Sequence, residues 1–308
     1  MSDVVLVTGA AGFAGSHLVE HLRASPTHRA GGGGSSSHVV AWTRETVDLL
    51  DRDRVRAAIR DLRPAQIYHC AGVPHVAESF RDTAQPLAGN VLATEYLFDA
   101  LRRAGVRPRV LIPGSATVYA PSSEPISETG VIAPASPYAV SKLAQEQLAL
   151  RAMQEDGLDV VVTRSFNHTG PRQAAAFAAP SMARQIALIE RGQLEPVLKV
   201  GNLEARRDLT DVRDVVRAYT SLMKSGSPGV VYNVASGVGR SIRSVLEALL
   251  SRSRVPVRIE VDPARMRPND AAAIVGDCSR LENATGWKPA VSFDRMLDDL
   301  LGYWRDHV

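Results

Sequence analysis

The chain reads as an α/β protein: a doubly wound parallel sheet followed by a smaller mixed α/β lobe. Three observations predict this. Short, near-continuously apolar runs recur along the first half of the 308 residues; amphipathic stretches separate them; and the first run ends in glycines spaced three apart. Apolar runs of this kind suit strands covered on both faces, as in a parallel sheet between layers of helices.

The first strand is predicted at Val4-Val5-Leu6-Val7, with later ones at Ile67-Tyr68-His69-Cys70, Val110-Leu111-Ile112 and Val160-Val161-Val162. Between them, Ala14, Leu18 and Leu22 fall on one helical stripe, and Leu97, Phe98 and Leu101 on another. Gly31 to Ser37 reads as a flexible surface insert between the first helix and the strand His38-Val39-Val40-Ala41. Beyond about Phe166 the alternation breaks down, and Ser241–Ser251 reads as a helix of a second lobe. The predicted division is 1–166 with a later contribution from about 205–235, against 167–204 and 236–308.

Composition bounds the function. Hydrophobic residues make up 45% and charged residues 22%, as in an ordinary globular protein, and a net charge of +3 with scattered arginines gives no nucleic-acid stripe. Cys70 and Cys278 show no metal-ligand spacing and form no disulfide framework, which fits a reducing cytoplasm. No apolar run approaches the ~20 residues of a membrane span. His17 and His21 stand four apart, but without the acidic residue of a zinc-hydrolase helix they read as helix-surface histidines, and no metal is expected.

The turn Thr8-Gly9-Ala10-Ala11-Gly12-Phe13-Ala14-Gly15 follows a buried strand and opens an amphipathic helix. In that setting Gly9 makes the tight turn, Gly12 admits a pyrophosphate and Gly15 lets helix pack on strand, while the helix N-terminus faces the phosphate. A dinucleotide site is predicted. At the end of the second strand, Trp42-Thr43-Arg44 carries no acid before Glu45. Arg44 can pair with a 2′-phosphate and Thr43 can hydrogen-bond it, which favours NADP(H) over NAD(H). The alternative is one more solvated arginine. Asp48-Leu49, expected after a third strand, would take the adenine amino group and pack on its ring.

Tyr138 and Lys142 lie four apart after Ser136-Pro137, a helix-opening pair, so phenol and ammonium share a face. A nearby cation stabilises phenolate and makes tyrosine a usable acid/base. Ser115 follows the strand Val110–Ile112, at the ligand-binding carboxyl end of the sheet.

Together these residues resemble the extended short-chain dehydrogenase/reductases, the NAD-dependent epimerase/dehydratase family, over nearly the whole chain. The resemblance implies a Rossmann domain, a catalytic Ser115/Tyr138/Lys142 triad, Cys70-Ala71-Gly72 along the cofactor pyrophosphate, and Asn90 in a supporting helix. It further implies a homodimer through the helices around residues 86–104 and 138–154. In the second half, Phe166–Pro171, Val200-Gly201-Asn202-Leu203-Glu204-Ala205, Arg207–Asp214 and Thr285-Gly286-Trp287-Lys288-Pro289 are close in wording to the group reducing GDP-4-keto-6-deoxy-D-mannose. By that resemblance Asn167, Arg207 and Arg267 contact the diphosphate of a GDP-linked sugar, Lys199 lies near the guanine, and Thr117 faces the sugar. The sister 4,6-dehydratases carry a Glu where this chain has Thr117, and the reductase group often does too. Ser115-Ala116-Thr117-Val118-Tyr119 is instead the wording of UDP-galactose 4-epimerases, which leaves a 4-epimerase holding NAD as the rival. A scaffold that only binds NADP(H) usually lacks the tyrosine or lysine. His168 reads equally as a substrate donor or a structural histidine.

Overall fold

The computed structural model describes residues 4–25, 38–74, 76–266 and 273–308. The Gly31–Ser37 insert and Arg267 lie outside the described residues.

Six parallel strands form the central sheet in the order β2-β1-β3-β4-β5-β9: β1 Val4–Thr8, β2 His38–Trp42, β3 Gln66–His69, β4 Arg109–Ser115, β5 Asp159–Ser165 and β9 Val231–Val234. Val5, Leu6, Val7, Val110, Leu111, Ile112, Val160, Val161 and Val162 are all buried, as their unbroken apolar sequence requires. The chain goes from β1 to β2 on one side and returns to β3 on the other, so the topological switch point lies between β1 and β3. Both predicted cofactor turns, Gly9–Gly15 and Cys70–Gly72, leave the sheet there.

Helices cover both faces. On one, α1 (Phe13–Ala24) and α8 (Val212–Ser225) share a core with Leu18, Val19, Leu22, Val215, Val216 and Tyr219. On the other, α2 (Arg52–Leu62), α5 (Ala93–Ala104) and α6 (Pro137–Asp156) bury Val55, Ile59, Leu97, Phe98 and Ala149. Short helices α3 (Val76–Ser79) and α4 (Ala84–Pro86) lead into a π-helical turn, Leu87–Leu92, that runs on into α5. Helix α6 starts as its sequence dictates: Ser136 accepts from the Ala139 N–H at 3.1 Å, and Pro137 occupies the first turn, where no donor is missed. Its inner face is unusual in burying Ser141, Lys142, Gln145 and Glu146 rather than an apolar stripe.

The second lobe is built on β6 (Asn167–Thr169), β8 (Arg206–Asp211), β10 (Gly239–Ser241) and β12 (Ala273–Ile274), plus the pair β7 (Val197–Val200) and β11 (Arg258–Val261). Helices α7 (Ala178–Glu190), α9 (Ile242–Leu250) and α11 (Phe293–His307) enclose a third core around Ile186, Leu246 and Leu300. Buried Asp208 ties this lobe together, accepting from Ser236 N–H and Oγ–H, Gly237 N–H and Gly276 N–H at 2.6–3.3 Å. Helix α10 (Ser279–Thr285) returns to the first core, where Leu281 and Trp287 pack.

Two expectations are corrected. No strand separates β2 from Asp48-Leu49: a turn intervenes, closed by Thr43 N–H on Thr46 Oγ1 at 2.9 Å and Thr46 Oγ1–H on the Thr43 carbonyl at 3.0 Å. Side-chain bonds of this kind divert the backbone from a ladder. His17 is not on the helix surface. It is buried, with Nε2 at 2.9 Å from the Pro171 carbonyl oxygen, because the loop after β6 covers that part of α1.

Candidate active site

The glycine turn is shaped by contact rather than by propensity alone. Gly9 has φ +66°, and a Cβ there would lie 2.5 Å from the Ala71 nitrogen; a Cβ on Gly15 would lie 2.2 Å from the Gly9 carbonyl oxygen. Only glycine fits either place. A Cβ on Gly12, in contrast, meets only the Gly9 carbonyl oxygen, at 3.1 Å. The space above that residue is therefore open to a ligand, and Gly12 caps α1, whose first free N–H groups begin at Phe13 and Ala14. Ala71 N–H donates to Thr8 Oγ1 at 3.2 Å, and Gly72 lies so close to Asn90 Oδ1 that a Cβ would come to 2.5 Å. The residues present fit a dinucleotide pyrophosphate at the switch point.

Just beyond β2, Arg44 and Asp48 face each other, Nε to Oδ2 at 3.5 Å, with the arginine 84% exposed. The two residues expected to meet the 2′-phosphate and the adenine thus meet one another. Thr43 Oγ1 engages Thr46, and Leu49 is buried in the second core.

Ser115 ends β4, Tyr138 and Lys142 lie four residues apart on α6, and the Ser115 hydroxyl reaches the Tyr138 phenol. Ser115 is buried and its Oγ is 2.9 Å from Thr117 Oγ1. Burial pushes the Tyr138 phenol above its ordinary pKa, while the Ser115 hydroxyl pulls it down. Burial lowers the Lys142 ammonium to about 8. Cys70 is pushed up to about 12 by burial, a neutral thiol at physiological pH. Asn90, in the π-helical turn, accepts from Val73 N–H at 2.8 Å and donates to Ser141 Oγ at 2.9 Å, which pins that turn to α6.

On the lobe side, β6 pairs with β8 so that Asn167 stands opposite Leu209, and Arg207, two residues earlier, shares Leu209's face. Asn167 is exposed. Lys199 sits apart, on β7 of the two-stranded sheet, its backbone N–H on Gln185 Oε1 at 3.0 Å and its side chain exposed. Next to it, the Arg265 carbonyl crowds Gly201. His168 stacks on Phe13 at 5.7 Å, and its Nδ1 is 3.0 Å from the Phe166 carbonyl oxygen. Both histidines hold the lobe against the cofactor helix.

Sequence reasoning missed the polar interior behind Lys142. Gln145, Thr94 and His69 form it, and Glu146 pairs with Arg164 beside it. The signal was available in part: Gln145 and Glu146 lie one turn beyond Lys142, and Thr94 one turn beyond Asn90.

Comparison with known proteins agrees with this geometry. The family model described as GDP-mannose 4,6 dehydratase matches residues 6–300. The GDP-6-deoxy-D-mannose reductase of Pseudomonas aeruginosa is 38% identical over 311 residues, covering 100% of this chain and 99% of that protein. Among solved structures, RMD from Pseudomonas aeruginosa complexed with NADPH superimposes with a TM-score of 0.89 at 37% identity, covering 99% of both chains. The Thermus thermophilus UDP-glucose 4-epimerase complexed with NAD gives 0.84 at 30% identity, covering 99% of this chain and 100% of that one. Among the described residues no helix is long and apolar enough to cross a membrane. The chain belongs to the GDP-mannose 4,6 dehydratase family, within the extended short-chain dehydrogenase/reductases.

Proposed function

We propose that the chain is an NADPH-dependent reductase of the 4-keto group of GDP-4-keto-6-deoxy-D-mannose, yielding GDP-D-rhamnose. The observation that carries this reading is the 38% identity, running the full length of both chains, to a GDP-6-deoxy-D-mannose reductase. The site agrees with it. Ser115, Tyr138 and Lys142 carry the hydroxyl, phenol and ammonium that carbonyl reduction needs, whereas position 117 holds a threonine with no carboxylate to remove a proton for dehydration.

NADPH, when bound, supplies the hydride. Ser115 donates a hydrogen bond that holds the C4 oxygen, and Tyr138 gives that oxygen its proton as the carbonyl becomes an alcohol. Lys142 stabilises the phenolate left behind and holds the nicotinamide ribose. Gly9, Gly12, Phe13, Ala14, Gly15, Cys70, Ala71 and Gly72 line the pyrophosphate, Asn90 supports the site from behind, and Thr43, Arg44, Asp48 and Leu49 surround the adenosine end. Thr117 faces the sugar, Asn167, Arg207 and Arg267 hold the diphosphate, and Lys199 borders the guanine.

In this reading, residues 1–166 with about 205–235 bind the cofactor, and 167–204 with 236–308 bind the sugar nucleotide. The protein works in the cytoplasm as a homodimer through the helices around 86–104 and 138–154. Leu87, Leu92 and Val140, each 41–46% exposed on those segments, support that contact.

The test follows NADPH absorbance with GDP-, UDP- and dTDP-linked 4-keto-6-deoxy sugars. Consumption confined to the GDP sugar is expected. Activity confined to UDP sugars overturns the GDP assignment. Tightly held NAD with no net NADPH consumption favours the epimerase, to which Ser115–Tyr119 and the 30% identity to the Thermus enzyme give some support.

A further inference from the structure

Behind the catalytic lysine a line of buried hydrogen bonds leads back to the glycine turn. The Lys142 ammonium donates to Gln145 Oε1. Gln145 Nε2 donates to Thr94 Oγ1 at 2.8 Å, and Thr94 Oγ1 donates to the Asn90 carbonyl at 2.6 Å. His69 Nε2 lies 2.9 Å from the same Thr94 oxygen, and His69 Nδ1 lies 2.8 Å from Thr8 Oγ1. Thr8, His69, Thr94 and Gln145 are at most 1% exposed.

The bonding capacity of each group leaves one proton arrangement. The single Thr94 hydroxyl proton points to the Asn90 carbonyl, which has none to give, so the Thr94 oxygen must accept from both Gln145 and His69. His69 is therefore the Nε2–H tautomer, and Thr8 donates to its Nδ1. Burial first and the Lys142 charge second hold His69 near 3, so it remains neutral. Turning the Gln145 amide over would place its oxygen against a Thr94 with no proton left and its NH2 against the ammonium. The amide is locked with its oxygen toward Lys142.

We propose that Gln145, locked by Thr94 and His69, is a positioning residue that accepts a hydrogen bond from one ammonium N–H of Lys142 and leaves the other two for the cofactor ribose and the Tyr138 side. This rests on the reading of the chain as an NADPH-dependent reductase. Among the described residues Gln145 is the one hydrogen-bond acceptor of that ammonium. A lysine this deeply buried keeps its charge only with such an acceptor. The titratable groups that face it are Cys70 and His69 at the end of β3; Tyr138 lies one turn earlier on its own helix, and Tyr219 of α8 lies near both Cys70 and Tyr138. Glu146, four residues beyond Lys142 on α6, is paired with Arg164 of β5.

The test compares Gln145→Met, which removes the acceptor at nearly constant volume, with Gln145→Glu, which adds a charge. Lys142 is charged below its pKa and neutral above it. The alkaline limb of the kcat profile for 4-keto-sugar reduction is therefore expected to move down by about one pH unit in Gln145→Met and upward in Gln145→Glu. Thr94→Ser should keep the unmodified profile and Thr94→Val should follow Gln145→Met. NADPH affinity, titrated by its fluorescence from pH 6 to 10, should weaken roughly tenfold at pH 8 in Gln145→Met. Limbs that stay in place or move the same way in both Gln145 variants, at unchanged thermal midpoints, overturn the proposal. An unmodified protein that binds NADPH but reduces no 4-keto sugar sinks the reductase reading instead. The titrations then still decide: superimposable curves for Gln145→Met and the unmodified protein overturn the role of Gln145.

Discussion

The Arg164 guanidinium forks onto the Glu146 carboxylate inside the protein, Nε to Oε2 at 2.9 Å and Nη2 to Oε1 at 2.6 Å, one helical turn beyond Lys142. Arg164 Nη1 also donates to the Tyr119 hydroxyl at 2.9 Å, so β5 holds both α6 and the segment after Ser115. Removing one member strands the other charge in the interior. Glu146→Ala is expected to lower unfolding free energy by about 3–5 kcal/mol. Arg164→Met is expected to fall in the same range, and the double variant should cost much less than the sum. Urea unfolding of the three variants checks this, and additive losses would mean the two side chains act independently.

Tyr138→Phe should leave the fold and NADPH affinity in place and reduce kcat by roughly 10²–10⁴, the span of a lost general acid. The pH profile adds a second reading. With Lys142 lowered to about 8, its charge is complete at pH 6 and fading by pH 9, so turnover should decline on the alkaline side even while the phenol remains protonated. Lys142→Met should abolish that decline along with most of the activity. A profile flat from pH 6 to 10 would remove Lys142 from the proton step.

Local patterns made the sheet, the glycine turn and the Tyr138/Lys142 face legible in the sequence, since each depends on residues within a turn or two of one another. The Ser136 cap and Pro137 start of α6 stand where the sequence puts them for the same reason. The interior behind Lys142 was not legible. Thr94 meets His69 across 25 residues and Gln145 across 51, and nothing in α6 alone says that its polar residues face inward. The third strand expected before Asp48 fails because Thr43 and Thr46 satisfy each other's backbone. His17 looked like a surface residue because the covering carbonyl, Pro171, comes 154 residues later.

Gly12 and Gly15 look alike in sequence and separate in space. Gly15→Ala drives a methyl to 2.2 Å from the Gly9 carbonyl oxygen, so α1 must lift off β1. A large drop in thermal midpoint is expected, with loss of cofactor binding as a consequence. Gly12→Ala meets backbone only at 3.1 Å, and its methyl points into the open space above the turn. It should keep most of the stability and lose NADPH affinity by at least about tenfold, as a methyl displaces a phosphate oxygen. Equal thermal losses in the two variants would contradict this division.

We infer that cofactor choice turns on the Arg44–Asp48 pair. Arg44 has its Nε 3.5 Å from Asp48, but at 84% exposure the contact holds it weakly, and a 2′-phosphate is the stronger partner. Asp48→Asn should release Arg44 and tighten NADPH binding several-fold without changing the hydrogen bond that position 48 accepts from Leu50 N–H. Arg44→Ala should weaken NADPH about tenfold and leave NADH unchanged, because NADH has no phosphate at that end. Titration of both nucleotides against the three proteins separates the two roles. If Arg44→Ala weakens NADPH and NADH equally, Arg44 acts on the shared adenosine and the preference for NADPH must come from other residues.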